Sequence, residues 1–163
     1  QAAKTMNFLT EHGISSYGEL ESKLTAISAR RDTAHAEIKR IESRSAELAL
    51  VMKHAGTYRQ LKPLYDRYRK SNDKEKFLRG HESEIILFEA AARELKRLGA
   101  VPLPTTESMK TELANLNAEK ERLLAEYKAA RTEAQEYDTV KQNVDALLTV
   151  PKEQEQQRRH ELE

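Results

Sequence analysis

The chain has 163 residues, 34% of them charged, and a net charge of +1. About one domain's length, with so many residues that must face water, excludes a large compact core; five Gly, four Pro and no Trp suit long helices better than sheets or loops. The lack of Cys excludes a disulfide framework, a thiol nucleophile and a Cys-based zinc site, and the near-neutral total gives no overall field toward nucleic acid or membrane.

No apolar run is long enough to span a bilayer, and the N-terminus lacks a signal-peptide hydrophobic stretch. The expectation is a cytoplasmic chain with no membrane insertion. It begins at Gln1 rather than Met, which suggests a piece excised from something larger.

Residues 1–15 form a lead-in. Met6, Phe8 and Leu9 make a short apolar cluster, Gly13 is a helix stop, and Ile14 packs back over the preceding turn. Ser16-Tyr17-Gly18-Glu19 has the spacing of a capping box, with Ile14 and Leu20 flanking it as a staple-like pair. From Leu20 a four-three pattern begins. Positions 20, 24, 27, 31, 34, 38, 41, 45, 48, 52 and 55 are apolar except at Arg31 and Ser45. Such a repeat puts one narrow seam along a helix, and the seam must meet another helix.

Gly56 and Pro63 are expected to end that helix, since proline lacks a donor and clashes with the preceding turn. Leu64, Tyr65 and Tyr68 share a face beyond it. Ser71-Asn72-Asp73 reads as a turn and cap for Lys74 to Arg79, and Gly80 interrupts again. From about Glu82 to Leu98, residues Ile85, Ile86, Phe88, Ala91, Ala92, Leu95 and Leu98 cover a broad helical face. Gly99 caps it, Ala100 to Pro104 are extended, and Thr105 or Thr106 opens the last helix.

That last helix carries the matching seam at positions 109, 113, 116, 120, 123, 127, 130, 134, 137, 141, 144 and 148, broken only by Lys120 and Lys141. At 1.5 Å per residue it is roughly 60 Å long, too long to stand on propensity alone. The expected fold is all-α: a long antiparallel coiled-coil hairpin (about 16–60 and 105–149) with a small helical knob at the tip (about 58–104). The hairpin and knob together take 16–150. Pro151 closes the helix, and 151–163 form a solvated tail. Placing Leu20 opposite Leu148 sets Ala34 against Ala134 and Arg31 on the Tyr137 ring. A parallel homodimer instead faces Arg31 with Arg31 and Lys120 with Lys120, so a monomer is favoured. Residues that interrupt a seam ordinarily set register rather than bind anything.

Chemistry-bearing patterns are few. The five His fall at 12, 35, 54, 81 and 160, with no H-E-x-x-H spacing. His81-Glu82 with Glu84 comes nearest to a metal set, and reads more simply as acids at a helix N-terminus. No phosphate loop or nucleophile elbow is present; no catalytic, cofactor or metal residue is assigned, and the chain is not expected to be an enzyme by itself. The one electrostatic anomaly runs from Lys53 to His81, where nine Lys or Arg meet only Asp66, Asp73 and Glu75. Its candidate nucleic-acid-binding residues are Arg59, Lys62, Arg67, Arg69, Lys70, Lys74, Lys76 and Arg79, interleaved with Tyr58, Tyr65 and Tyr68. Cations neutralise phosphates and aromatic rings stack on unpaired bases. The simpler reading, and the favoured one, is that the tyrosines pack the knob and the cations form its wet face.

Several short words in order carry a family resemblance. Asn7-Phe8-Leu9-Thr10-Glu11-His12-Gly13-Ile14 precedes Tyr17-Gly18-Glu19-Leu20. Tyr68-Arg69-Lys70-Ser71, Lys76-Phe77-Leu78, His81-Glu82 with Glu84-Ile85, Leu103-Pro104-Thr105 and Asn143-Val144-Asp145-Ala146-Leu147-Leu148 follow. Together they resemble the region after the nuclease domain in relaxases of Gram-positive conjugative and mobilisable elements. The resemblance implies a parent protein that nicks DNA, using a His-held metal and a tyrosine. Neither has a counterpart here, so the chain looks like the non-catalytic C-terminal region. It implies contact with DNA at a transfer origin, or with a coupling protein or other transfer component. The alternative is a coiled-coil interaction scaffold or self-assembly module with no nucleic-acid role.

Overall fold

The computed structural model describes residues 1–162, with side chains for all of these except residues 150–153. Four helices follow in order: α1 (Ala2–Glu11), α2 (Tyr17–Lys70), α3 (Lys74–Arg97) and α4 (Thr106–Glu161). No strand occurs among the described residues, and α2 packs with α4 in an all-α helical hairpin. No helix among the described residues is long and apolar enough to cross a membrane.

Local chemistry sets the boundaries. After α1, Gly13 takes φ 65° while its N–H donates to Thr10 O and the Ile14 N–H donates to Leu9 O. Those two bonds satisfy carbonyls that the helix end would otherwise leave open, and the positive φ suits a residue without Cβ. Gly99 repeats the device after α3, with the Ala100 N–H donating to Leu95 O. At the start of α2, Ser16 Oγ accepts from the Glu19 N–H at 3.2 Å, and the Glu19 carboxylate accepts chiefly from the Ser15 N–H and hydroxyl, the Ser16 N–H contributing less. Thr105 caps α4 by accepting from the Ser108 N–H at 3.1 Å.

The chain divides into two units, Gln1–Ile38 with Glu121–Glu163, and Lys39–Lys120. In the first, the buried cluster is Ile14, Leu20, Ile27, Ala134, Tyr137 and Val140, with Phe8, Leu9, Leu24 and Val144 packed on it. Helix α1 closes this cluster. Phe8 meets the Tyr137 ring edge-on at 5.0 Å, and Asn143 donates to the buried Thr5 hydroxyl. The lead-in therefore buries Thr5 and leaves Met6 exposed, which the apolar count did not foresee.

In the second unit, α2 and α4 bury Ile41, Leu48, Met109 and Leu116, and α3 adds Ile85, Phe88, Ala91 and Leu95. Full burial of a Leu or Ile side chain contributes about 1.5–3 kcal/mol, which makes these residues the main cause of helix pairing. Across both units, every α2 seam position from Leu20 to Ala55 is buried or half-buried, and so is every α4 seam position except Leu148.

The register differs from the alignment that set Leu20 opposite Leu148. Tyr17 donates to Asp145 at 2.6 Å, Arg30 pairs with Glu133, and Lys120 lies 3.5 Å from Glu42. These pairs displace α4 by about one heptad. A heptad shift keeps the same residues inside, so the seams alone do not distinguish the two alignments. Charge does. The rejected register faces Arg40 with Lys128 and Glu42 with Glu126. Consequently Arg31 pairs with Asp32 rather than the Tyr137 ring, and Lys141 sits over the Tyr17 ring at 5.9 Å.

Two helix ends also differ. Helix α2 does not stop near residue 60 but runs through Pro63 to Lys70. A mid-helix proline costs about 3 kcal/mol, offset here by the aromatic contacts that α2 makes with α3 on either side of it. Nor does Pro151 end α4, whose backbone stays helical to Glu161. The following Glu, Gln and Arg are good helix formers, and Glu155 reaches Arg159 one turn on.

In the second unit Arg44 donates from Nε and Nη2 to both oxygens of Glu112, at 2.7 and 3.1 Å. These bonds hold the Glu112 carboxyl below the usual carboxylate range. A carboxyl lowered by folding adds stability above its unfolded pKa and loses it as pH falls through the folded value. For a pair this open to solvent the contribution is less than about 1 kcal/mol. Acid melts of Glu112→Gln are therefore expected to fall less steeply than those of the parent below about pH 4. Parallel slopes would show that the pair does not matter.

Candidate nucleic-acid interface

The basic stretch folds as the end of α2, a tight turn and the start of α3. Ser71 Oγ accepts from the Asp73 N–H, and Asp73 Oδ1 accepts from the Lys76 N–H at 3.1 Å, so the turn and cap form as the Ser-Asn-Asp sequence directs. Gly80 does interrupt α3: His81 next to it leaves helical geometry at φ −138° and ψ 25°.

Where α4 begins at Thr106, α2 needs a new cover, and α3 supplies it through rings. Tyr58 and Tyr65 both stack on the buried Phe88, at 4.8 and 4.3 Å between centroids. Tyr68 continues the row to Tyr65 at 5.9 Å and to Phe77 at 6.0 Å, and Phe77 meets His81 at 4.7 Å. All three tyrosines are half-buried. Their rings hold α2 to α3. Of the two readings of these tyrosines, packing within the fold is the one with contacts on it, through Phe88 and Phe77.

The eight candidate cations separate into two groups. Arg59 donates to the Thr106 hydroxyl at 2.8 Å and to the Pro104 carbonyl, tying the α3–α4 connection to α2. Lys62 pairs with Asp66 one turn on, at 3.2 Å. Arg67, Arg69, Lys70, Lys74, Lys76 and Arg79 are all exposed, and no described residue gives them a hydrogen-bonding or ion-pair partner through the side chain. Three of the six complete the last turn of α2, where the helix dipole favours positive charge. Lys74 and Lys76 lie in the first turn of α3, where it opposes them by about 0.3–1 kcal/mol each. Helix electrostatics account for the first three and not for these two.

Elsewhere the chemistry is thin. His81 Nδ1 is buried without a hydrogen bond, its nearest acid, Glu84, being 3.7 Å away. Among the described residues no three His, Asp or Glu gather as a metal set. Reasoning from sequence missed Phe88 as the shared platform for Tyr58 and Tyr65, although its place in the broad α3 face marked it as inward.

Phe88→Ala is expected to cost about 3–5 kcal/mol in chemical denaturation, since it removes a buried ring and the stack on it. Arg67→Ala is expected to stay within about 0.5 kcal/mol, and Lys74→Ala to be neutral or slightly stabilising. A large loss from either cation variant would mean the turn is held by charge. No protein-family model, no curated protein and no solved structure matches this chain, so its own residues carry the functional argument.

Proposed function

We propose that this chain is a helical accessory region of a conjugative relaxase and that its α2–α3 turn contacts DNA during mobilisation. The carrying observation is the set of six exposed, unpartnered cations from Arg67 to Arg79, two of them placed against a helix dipole. The relaxase half of the reading rests on the resemblance in the sequence words quoted above. In it the chain performs no catalytic step, acts in the cytoplasm and works as a monomer, because each long seam already has its cover within the chain.

Phosphate contacts release counterions, so binding through this turn must weaken steeply with salt. Titrating the chain with DNA at roughly 50 and 200 mM salt is expected to show that dependence, and replacing Arg67, Arg69 and Lys70 with Ala is expected to weaken binding and flatten the salt slope. DNA binding indifferent to both salt and these substitutions removes the reading.

A docking role has its own observation. Ile86 and Leu87 are adjacent on α3 and more than half exposed, at 53% and 56%, an unusual pair on a helix with an otherwise well-filled apolar face. On this second reading the face meets a transfer component. The Ile86→Ser, Leu87→Ser double variant should then keep its melting temperature and DNA affinity while losing capture of a purified coupling protein. Capture unchanged by the double variant eliminates this face as the contact.

A further inference from the structure

We infer that the α2–α3 turn takes duplex nucleic acid by its phosphate backbone and does not take single strands by base stacking. The inference rests on the DNA reading above and specifies the form of DNA bound. A surface that holds single strands combines cations with open aromatic faces on which bases lie. Here the cations are present, and each tyrosine ring is half-buried and already packed against another ring. Tyr65 lies against Phe88 at 25° and 4.3 Å, Tyr58 lies on the same ring, and Tyr68 stands beside Tyr65 and Phe77 at 5.9 and 6.0 Å. The ring area that joins α2 to α3 is thereby withdrawn from base stacking.

The arrangement of charge points the same way. Two helix ends joined by a three-residue turn concentrate Arg67, Arg69, Lys70, Lys74, Lys76 and Arg79 in one short stretch. A duplex offers one charge per roughly 1.7 Å of axis, twice the density of a single strand, so a compact cluster meets more phosphates on a duplex. Between Arg67 and Arg79 only Asp73 and Glu75 offset the six cations, which leaves the stretch strongly positive. An anionic membrane or an acidic protein would be the competing partner. Both call for large apolar side chains at the centre of the contact, and no large hydrophobic residue among 67–79 is exposed.

The test uses the whole 163-residue chain with three probes: a mixed-sequence duplex of about twenty base pairs, an oligo-dT of the same length, and vesicles rich in phosphatidylserine. The duplex is expected to bind at least about tenfold more tightly than oligo-dT near 50 mM salt, and to lose about a thousandfold by 200 mM if all six cations engage. Lys74→Gln with Lys76→Gln should weaken duplex binding without lowering the melting temperature. An independent variant, Arg67→Gln with Arg69→Gln, should do the same, so a folding fault in one does not decide the matter. Oligo-dT binding equal to or tighter than the duplex overturns the duplex preference and leaves the DNA reading standing. Binding to neither DNA overturns both. Vesicles that compete fully with the duplex at equal charge overturn the nucleic-acid assignment in favour of a membrane surface.

Discussion

Each long helix of this protein depends on burying a stripe of apolar side chains, and the stripe determines that α2 and α4 pair without determining where. Ile41, Leu48, Met109 and Leu123 are all almost wholly buried, each at about 1.5–3 kcal/mol, so an unpaired α2 or α4 has no comparable source of stability. Yet a repeat of seven presents the same faces after every heptad step. The choice falls to charges beside the seam. Lys120 finds Glu42, Arg44 finds Glu112, and Arg30 finds Glu133, each worth less than about 1 kcal/mol at such exposure. Small terms count here because the large term is degenerate, and the neighbouring register gives up these three pairs and brings Arg40 to Lys128 and Glu42 to Glu126.

In the second unit α2 is longer than the stretch that α4 can cover. Beyond Ala55 the half-buried positions of α2 include Tyr58, Leu61, Tyr65 and Tyr68, and the three tyrosines meet α3. The change from aliphatic to aromatic residues marks a change of partner. It also explains why Pro63 does not end the helix: rings on both sides of it are already bound to Phe88, and breaking α2 there would release them. Arg59, whose guanidinium holds Pro104 and Thr106, fixes the connection that lets α3 lie back along α2.

The sequence made the inside of the hairpin legible because helical periodicity survives without knowledge of the partner. The caps at Gly13, Asp73, Gly99 and Thr105 were legible for a related reason, since each acts within a few residues of itself. What depended on distant residues was harder to read. Register required comparing charges far apart in the chain, a comparison the residues permitted once alternatives one heptad apart were set side by side. Thr5 gave no apolar signal at all, because it is buried through its bond to Asn143. Pro63 and Pro151 were read by their intrinsic effect, whereas helix continuity was decided by the packing and composition around them. Of the candidate site, the cations were legible as a cluster. Their division into structural and free members was not, because only the fold shows which of them reach an acceptor.

That division sets apart the cations that the fold uses from those it does not. Arg59 and Lys62 are occupied, and the tyrosines are occupied, so most of what a basic, aromatic stretch suggests has a structural cause. What remains is a turn whose folding needs Ser71 and Asp73 and none of the six cations around them. Repulsion among those six, and the opposing dipole at Lys74 and Lys76, can only weaken the fold. Arg59 and Lys62 are therefore explained by the helices they join and Arg67, Arg69 and Lys70 by the dipole at the end of α2, whereas Lys74 and Lys76 have no such cause within the fold, and on them the proposed contact with a polyanion chiefly rests.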